Sequence, residues 1–159
     1  MAASPAPKAT SESMAVNCEK VIRDLFAAWT RLNLEDVMSY FAEDAVWDNV
    51  PMSPAKGKQA IREMTHGFMK DMSAFSVKIL KSLHEGNVVF DSRVDTITMK
   101  SGKKAEVPVA GMFELDDAGK IKVWRDYFDL ATFTRQDHVN VVTPGSYEHG
   151  TTTQNKRTN

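Results

Sequence analysis

At 159 residues the chain has the length of one domain, and its 42% apolar content suffices for a packed core. The formal net charge is −1 with the two signs interspersed, which leaves no basic footprint for nucleic acid. A single cysteine, Cys18, excludes an internal disulfide and a cysteine-based metal cluster, and no run approaches the roughly 20 apolar residues of a membrane helix.

The opening MAASPAPKATSES is rich in Ala, Pro and Ser but lacks the apolar run of a secretory signal, so residues 1–13 read as a disordered arm. From Ser13 to Leu32, apolar residues recur at Val21, Ile22, Leu25, Phe26, Trp29 and Leu32. This is the spacing of an amphipathic helix with a broad buried stripe. Asn33 interrupts it, and Leu34, Val37, Met38 and Phe41 continue as a second, shorter helix. AVWDNV (45–50) follows as a short strand, closed by PMSP, where two prolines stop a ladder. After Gly57, KQAIREMTHGFMKDM reads as a third helix with Ile61, Met64, Phe68 and Met72 on one face. Gly67 weakens that helix by about 1 kcal/mol relative to alanine, which points to close packing there.

At about Ser73 the composition changes. FSVKIL, NVVFDSRVDTITM, KAEVPVAGMFEL and KIKVWRDYFDL are strand-like segments joined by the compact turns EGN, SGK and DDAG. Pro108 inside one of them predicts a bulge or an edge position. The polar, aperiodic tail 135–159 reads as disordered, leaving a single domain over 14–134. Helices first and an antiparallel meander afterwards define an α+β fold, with about three N-terminal helices covering one face of a curved sheet.

Alternation assigns side chains to strand faces. In VWRDYFDL, Trp124, Asp126, Phe128 and Leu130 share a face that is apolar except for the aspartate. In NVVFDSRVDTITM, one face carries Val89, Asp91, Arg93, Asp95, Ile97 and Met99. Taken alone, that face is more simply a solvated, ion-paired surface, yet its apolar neighbours oppose full exposure. Trp47 and Asn49 share a side of their own strand. An inward, ionised Asp126 requires a partner, and the planar fork of Arg93 can bond two carboxylates at once. With Asp95 and Asp126 flanking Arg93, one guanidinium neutralises only one of the two charges. The other carboxyl then holds its proton more readily, giving a base and an acid aimed at one substrate.

The segments FAEDAVWDNVP, SRVDTI, GMFEL and IKVWRDYFDL resemble the limonene epoxide hydrolase family across roughly residues 15–133. The carrying pattern is an R-x-D pair followed about 30 residues later by W-R-D-Y-F-D. The resemblance implies an NTF2-like cone, of the SnoaL-like and ketosteroid-isomerase-like superfamily, with a curved mixed or antiparallel sheet. It also implies cofactor-independent hydrolysis of an apolar, terpene-like or aryl epoxide to a vicinal diol, commonly by a homodimer. It gives Asp126 the role of general base, Asp95 that of general acid, Arg93 that of bridge, and Asn49 that of water positioner. Trp47 departs from the pattern, standing where the family usually has a water-holding tyrosine. An indole N–H only donates, whereas a phenol also accepts.

Inward faces and helix stripes make Phe68, Met72, Ile97, Val107, Val109, Phe128 and Phe133 candidates for the pocket lining; several of them must simply be core. His66, His84, His138 and His149 have no metal-ligand spacing, Cys18 has no nucleophile signature, and G-x-S-x-G and glycine-rich phosphate loops are absent, so no metal or cofactor is expected. Two rivals stay open: an epoxide-opening cyclase that uses a substrate hydroxyl in place of water, and a ligand-binding module without chemistry. A proton-shuttling isomerase fits less well, because it gives the Arg93 bridge no task. The lone cysteine and the absent signal predict the cytoplasm. The expected partners are a small apolar epoxide, water and a second copy of the chain.

Overall fold

In the computed structural model, the backbone of residues 11–132 and the side chains from residue 18 onward are described. Helix α1 (Ser11–Thr30) buries Ile22, Leu25, Phe26 and Trp29, as the spacing predicts. It starts at Ser11, so the last three residues of the expected arm are helical, while 1–10 and the expected tail lie outside the described residues. Asn33 ends the first helical run by capping the second. Its side chain accepts from the Asp36 N–H at 3.1 Å, opening α2 (Leu34–Met38).

Three boundaries differ from expectation. Phe41 does not continue α2. It begins β1 (Phe41–Val50), which is longer than the predicted AVWDNV and shifts register between Phe41 and Val46. A two-residue strand, β2 (Ala55–Lys56), precedes α3 (Lys58–Met69). Met72 is not on the α3 face but starts β3 (Met72–Glu85), where it is buried against the same core. Gly67 is exposed, and a side chain there would meet nothing within 4 Å, so no close packing explains it.

β3, β4 (Val88–Met99), β5 (Lys104–Leu115) and β6 (Ile121–Phe128) form the predicted meander. Each of its three tight turns places a glycine where an L side chain is strained: Gly86 at φ 57°, Gly102 at φ 85° and Gly119 at φ 74°. The six-stranded sheet runs β2-β1-β6-β5-β4-β3, antiparallel throughout except for the parallel pairing of β1 with β6. Pro108 pairs with Val94 on β4 without a bulge. On its other side β6 has already ended opposite Val109, so the missing N–H breaks no ladder bond there.

The helices cover one sheet face. Phe26 and Trp29 of α1 meet Trp47, Phe75, Phe113 and Trp124 in an aromatic core, with Trp47 stacked on Trp124 at a centroid distance of 4.4 Å. Among the described residues, no helix is long and apolar enough to cross a membrane.

Candidate active site

The parallel β1–β6 pairing and the meander line up one row of residues across four strands. Asp91 on β4 faces Gly111 on β5, Gly111 faces Asp126 on β6, and Asp126 faces Asn49 on β1. The next row, Val89–Phe113–Trp124–Trp47, is apolar and aromatic in three of its four residues, and Arg93–Val109–Phe128 forms the row on the other side. Gly111 has no side chain, and the guanidinium of Arg93 occupies that space. A Cβ at 111 would lie 2.4 Å from Arg93 Nη1, 2.5 Å from Asp91 Oδ1 and 3.0 Å from Asp126 Oδ1.

Arg93 is 1% exposed, and each edge of its fork bonds a different carboxyl. Nη2 donates to Asp126 Oδ2 at 2.6 Å, Nε to Asp95 Oδ1 at 2.9 Å, and Nη1 to Asp91 Oδ1 at 2.9 Å. The Phe26 ring lies 4.9 Å from the guanidinium carbon and closes the site from the helix side. The expected trio therefore meets, and a third carboxyl, Asp91, joins it.

One positive charge faces three carboxyls in a dry setting, so full ionisation would leave two uncompensated charges. Burial, reinforced by Asp126 and Asp91, outweighs Arg93 and pushes the Asp95 carboxyl up to about 6. Burial likewise raises the Asp91 carboxyl. Burial alone would lower the Arg93 pKa, but the three carboxyls more than offset it and hold the guanidinium cationic. Asp126 Oδ1 and Asp91 Oδ2 are buried without a hydrogen-bond partner, each a lone pair with capacity to spare.

A cavity of about 120 Å³ opens beside this cluster. Asp95, Asp126 and Asn49 are its polar lining, together with the predicted Trp47, Phe68, Met72, Ile97, Val107, Val109 and Phe128. Phe133 lies outside the described residues. Trp47 lies flat on Trp124, and its indole N–H is buried without a partner.

The lining also includes Trp29, Met52, Phe75, Trp124 and Leu130, which were not singled out as pocket residues from the sequence. Trp124 and Leu130 share the Asp126 face of their segment, so alternation alone could have found them. Met52 comes from the loop after β1, and no periodicity points to it. Gly111 carried a signal too, since a glycine inside a strand marks close approach of another group.

Elsewhere, burial raises the Cys18 thiol and disfavours a reactive thiolate. His66 is exposed, and His84 sits 3.4 Å from Glu19 Oε1. His138 and His149 lie outside the described residues. Among the described residues, no group of His, Cys, Asp or Glu side chains could hold a metal ion.

Comparison with known proteins bears on the same elements. The family model for the limonene-1,2-epoxide hydrolase catalytic domain matches residues 16–138. Epoxide hydrolase EphG of Mycobacterium tuberculosis is 31% identical over 98 residues, which cover 62% of this chain and 64% of that protein, less than two thirds of its length. Solved structures give the fold. An LEH-like epoxide hydrolase of M. tuberculosis superposes with a TM-score of 0.69 at 24% identity, covering 78% of this chain and 91% of the other. A SnoaL-like protein from Jannaschia sp. CCS1 reaches 0.70 at 14% identity, covering 84% and 99%. SalBIII, an epoxide hydrolase/cyclase-like enzyme with a role in pyran ring formation in salinomycin, reaches 0.66 at 15% identity, covering 74% and 94%. The architecture is the NTF2/SnoaL-like α+β cone.

Proposed function

The chain belongs to the limonene-1,2-epoxide hydrolase family, and we propose that it hydrolyses an apolar epoxide to a vicinal diol in one step, without a cofactor or covalent intermediate. The observation that carries this reading is one buried arginine bonded to two aspartyl groups that both line an apolar cavity. Asp126 accepts a proton from water as the water oxygen bonds to one epoxide carbon. The ring C–O bond breaks, and the proton of Asp95 goes to the departing oxygen. Water has then been added across the C–O bond, and one proton must return from Asp126 to Asp95 before the next cycle. An Asp95 carboxyl pushed up to about 6 supports its role as the donor. To Asn49 we assign the orientation of the water, a role supported by its register pairing with Asp126 and its position in the cavity lining.

The lining supports a terpene-like or aryl epoxide, since Phe68, Met72, Ile97, Val107, Val109 and Phe128 supply apolar contact. The working form proposed is a cytoplasmic homodimer. Its candidate contact is the outer sheet face, where the cross-strand pair Leu83 and Phe90 is 70% and 51% exposed. The same acid–base pair would serve a cyclase in which a substrate hydroxyl replaces water, and Trp47 favours this second reading because it offers a water only a donor.

The test is diol formation from racemic limonene-1,2-epoxide, 1-methylcyclohexene oxide and styrene oxide in ¹⁸O-water. Wild type should incorporate one label per diol, and Asp95→Asn and Asp126→Asn should each lose about 10²–10⁴-fold in kcat. Near-full turnover by either variant would refute the assignment of roles. Conversion of a hydroxy-epoxide to a cyclic ether without label, its own hydroxyl displacing the ring oxygen, would turn the reading to the cyclase.

A further inference from the structure

Asp91 is not used by the mechanism above. It does not line the cavity, its side chain is 1% exposed, and its Oδ2 has no hydrogen-bond partner. The groups around it can be named element by element. On its own strand, Arg93 bonds Oδ1 and Asp95 lies beyond the guanidinium. From β6, Asp126 bonds the adjacent edge of Arg93, and from β5 Gly111 is the register partner of Asp91, its backbone favouring the ionised carboxyl. Its register partner on β3 is Ser82, whose hydroxyl donates to Glu19 of α1, with His84 at the same Glu19 oxygen.

A buried carboxyl that never meets the substrate should be costly unless it does something for the groups that do. We propose, on the hydrolase reading given above, that Asp91 is a positioning residue: it holds Arg93 from behind, so that the other two edges of the fork face Asp95 and Asp126, and it competes with Asp95 for that single positive charge. The geometry makes the competition direct. The three bonds run from three edges of one planar cation, at 2.9, 2.9 and 2.6 Å, with no second cation on the cluster among the described residues. Charge given to Asp91 is charge withheld from Asp95. Asp95 therefore keeps its proton to higher pH and remains a donor over a wider range.

The test separates charge from shape. Asp91→Asn keeps a carbonyl oxygen for Arg93 Nη1 but cannot carry a negative charge; Asp91→Ser is a second neutral variant should the first fold poorly. In the full chain labelled with ¹³C at the aspartyl carboxyls, the Asp95 signal is identified by its loss in Asp95→Asn. Its titration midpoint should fall by on the order of half to one pH unit in either Asp91 variant. With limonene-1,2-epoxide, the high-pH limb of kcat should move down equally, a loss of about three- to tenfold on the alkaline side. An unmoved or raised midpoint would overturn the proposal, as would a uniform loss of kcat at every pH with the limb in place. The titration needs no turnover. Failure of the hydrolase reading would show separately, as absence of diol from wild type or as activity surviving Asp126→Asn.

Discussion

Gly111→Ala is the smallest change that tests how tightly the site is built. The added methyl would lie 2.4 Å from Arg93 Nη1 and 2.5 Å from Asp91 Oδ1, where ordinary contact begins near 3.4 Å. Both atoms must retreat by about 1 Å. They are bonded to each other at 2.9 Å, and both side chains are 1% exposed, so neither can move into solvent. Relief therefore means breaking a buried ion pair, at about 3–5 kcal/mol when one partner is left uncompensated. Alanine returns roughly 0.4–1 kcal/mol by restricting the unfolded chain. The net loss should be about 2–4.5 kcal/mol, a fall in Tm of about 4–18 °C for a domain of this size. Because the guanidinium is planar, displacing Nη1 also turns Nε and Nη2 away from Asp95 and Asp126. A shift of about 1 Å in such a group costs on the order of 10²-fold in kcat. Thermal unfolding by circular dichroism and diol formation measure the two effects. Gly67→Ala serves as control: the site is helical, exposed and open, so it should gain about 0.5–1 kcal/mol. Stability within about 0.5 kcal/mol of wild type, together with unaltered turnover in Gly111→Ala, would refute the close fit of the cluster.

Asp95 also predicts a pH-dependent stability. Its carboxyl sits at about 6 when folded, above the roughly 3.9 of an unfolded aspartate, so its stabilisation is complete below about 4 and lost as pH rises through 6. Asp95→Asn, neutral throughout, should gain on wild type by on the order of 2–3 kcal/mol between pH 4 and 7.5, measured by urea unfolding; parallel stability curves would disprove it. Asn49→Ala should lower kcat by about 10²-fold with KM little changed, and a kcat within threefold of wild type would remove Asn49 from the water site. The proposed dimer predicts that wild type sediments as a dimer and that Phe90→Lys combined with Leu83→Lys sediments as a monomer without loss of fold; equal sedimentation coefficients for the two would refute this face as a dimer contact.

Several features were legible before any coordinates. The 3.6-residue stripe of α1, the turn glycines and the strand alternation depend on local backbone geometry, which acts over a few residues. Alternation also placed Asp91, Arg93 and Asp95 on one face, and Trp124 and Asp126 on another; taken alone it left the first face reading as solvated, and the structure turns both inward. Boundaries at Phe41 and Met72 were misread because a buried apolar residue beside a turn satisfies either period. Their membership is decided by which neighbour offers a ladder: β6 for Phe41 and β4 for Met72.

What the chain alone determined was the fold class and the identity of the side chains turned inward, since both follow from short-range periodicity. What the tertiary structure decided was register. Only the alignment of β4, β5, β6 and β1 sets Asp91, Gly111, Asp126 and Asn49 in one row, and only that row shows three carboxyls, rather than two, around Arg93. Register depends on bulges such as the one between Phe41 and Val46 and on where each turn ends. A slip of one residue would send every one of these side chains to the opposite face.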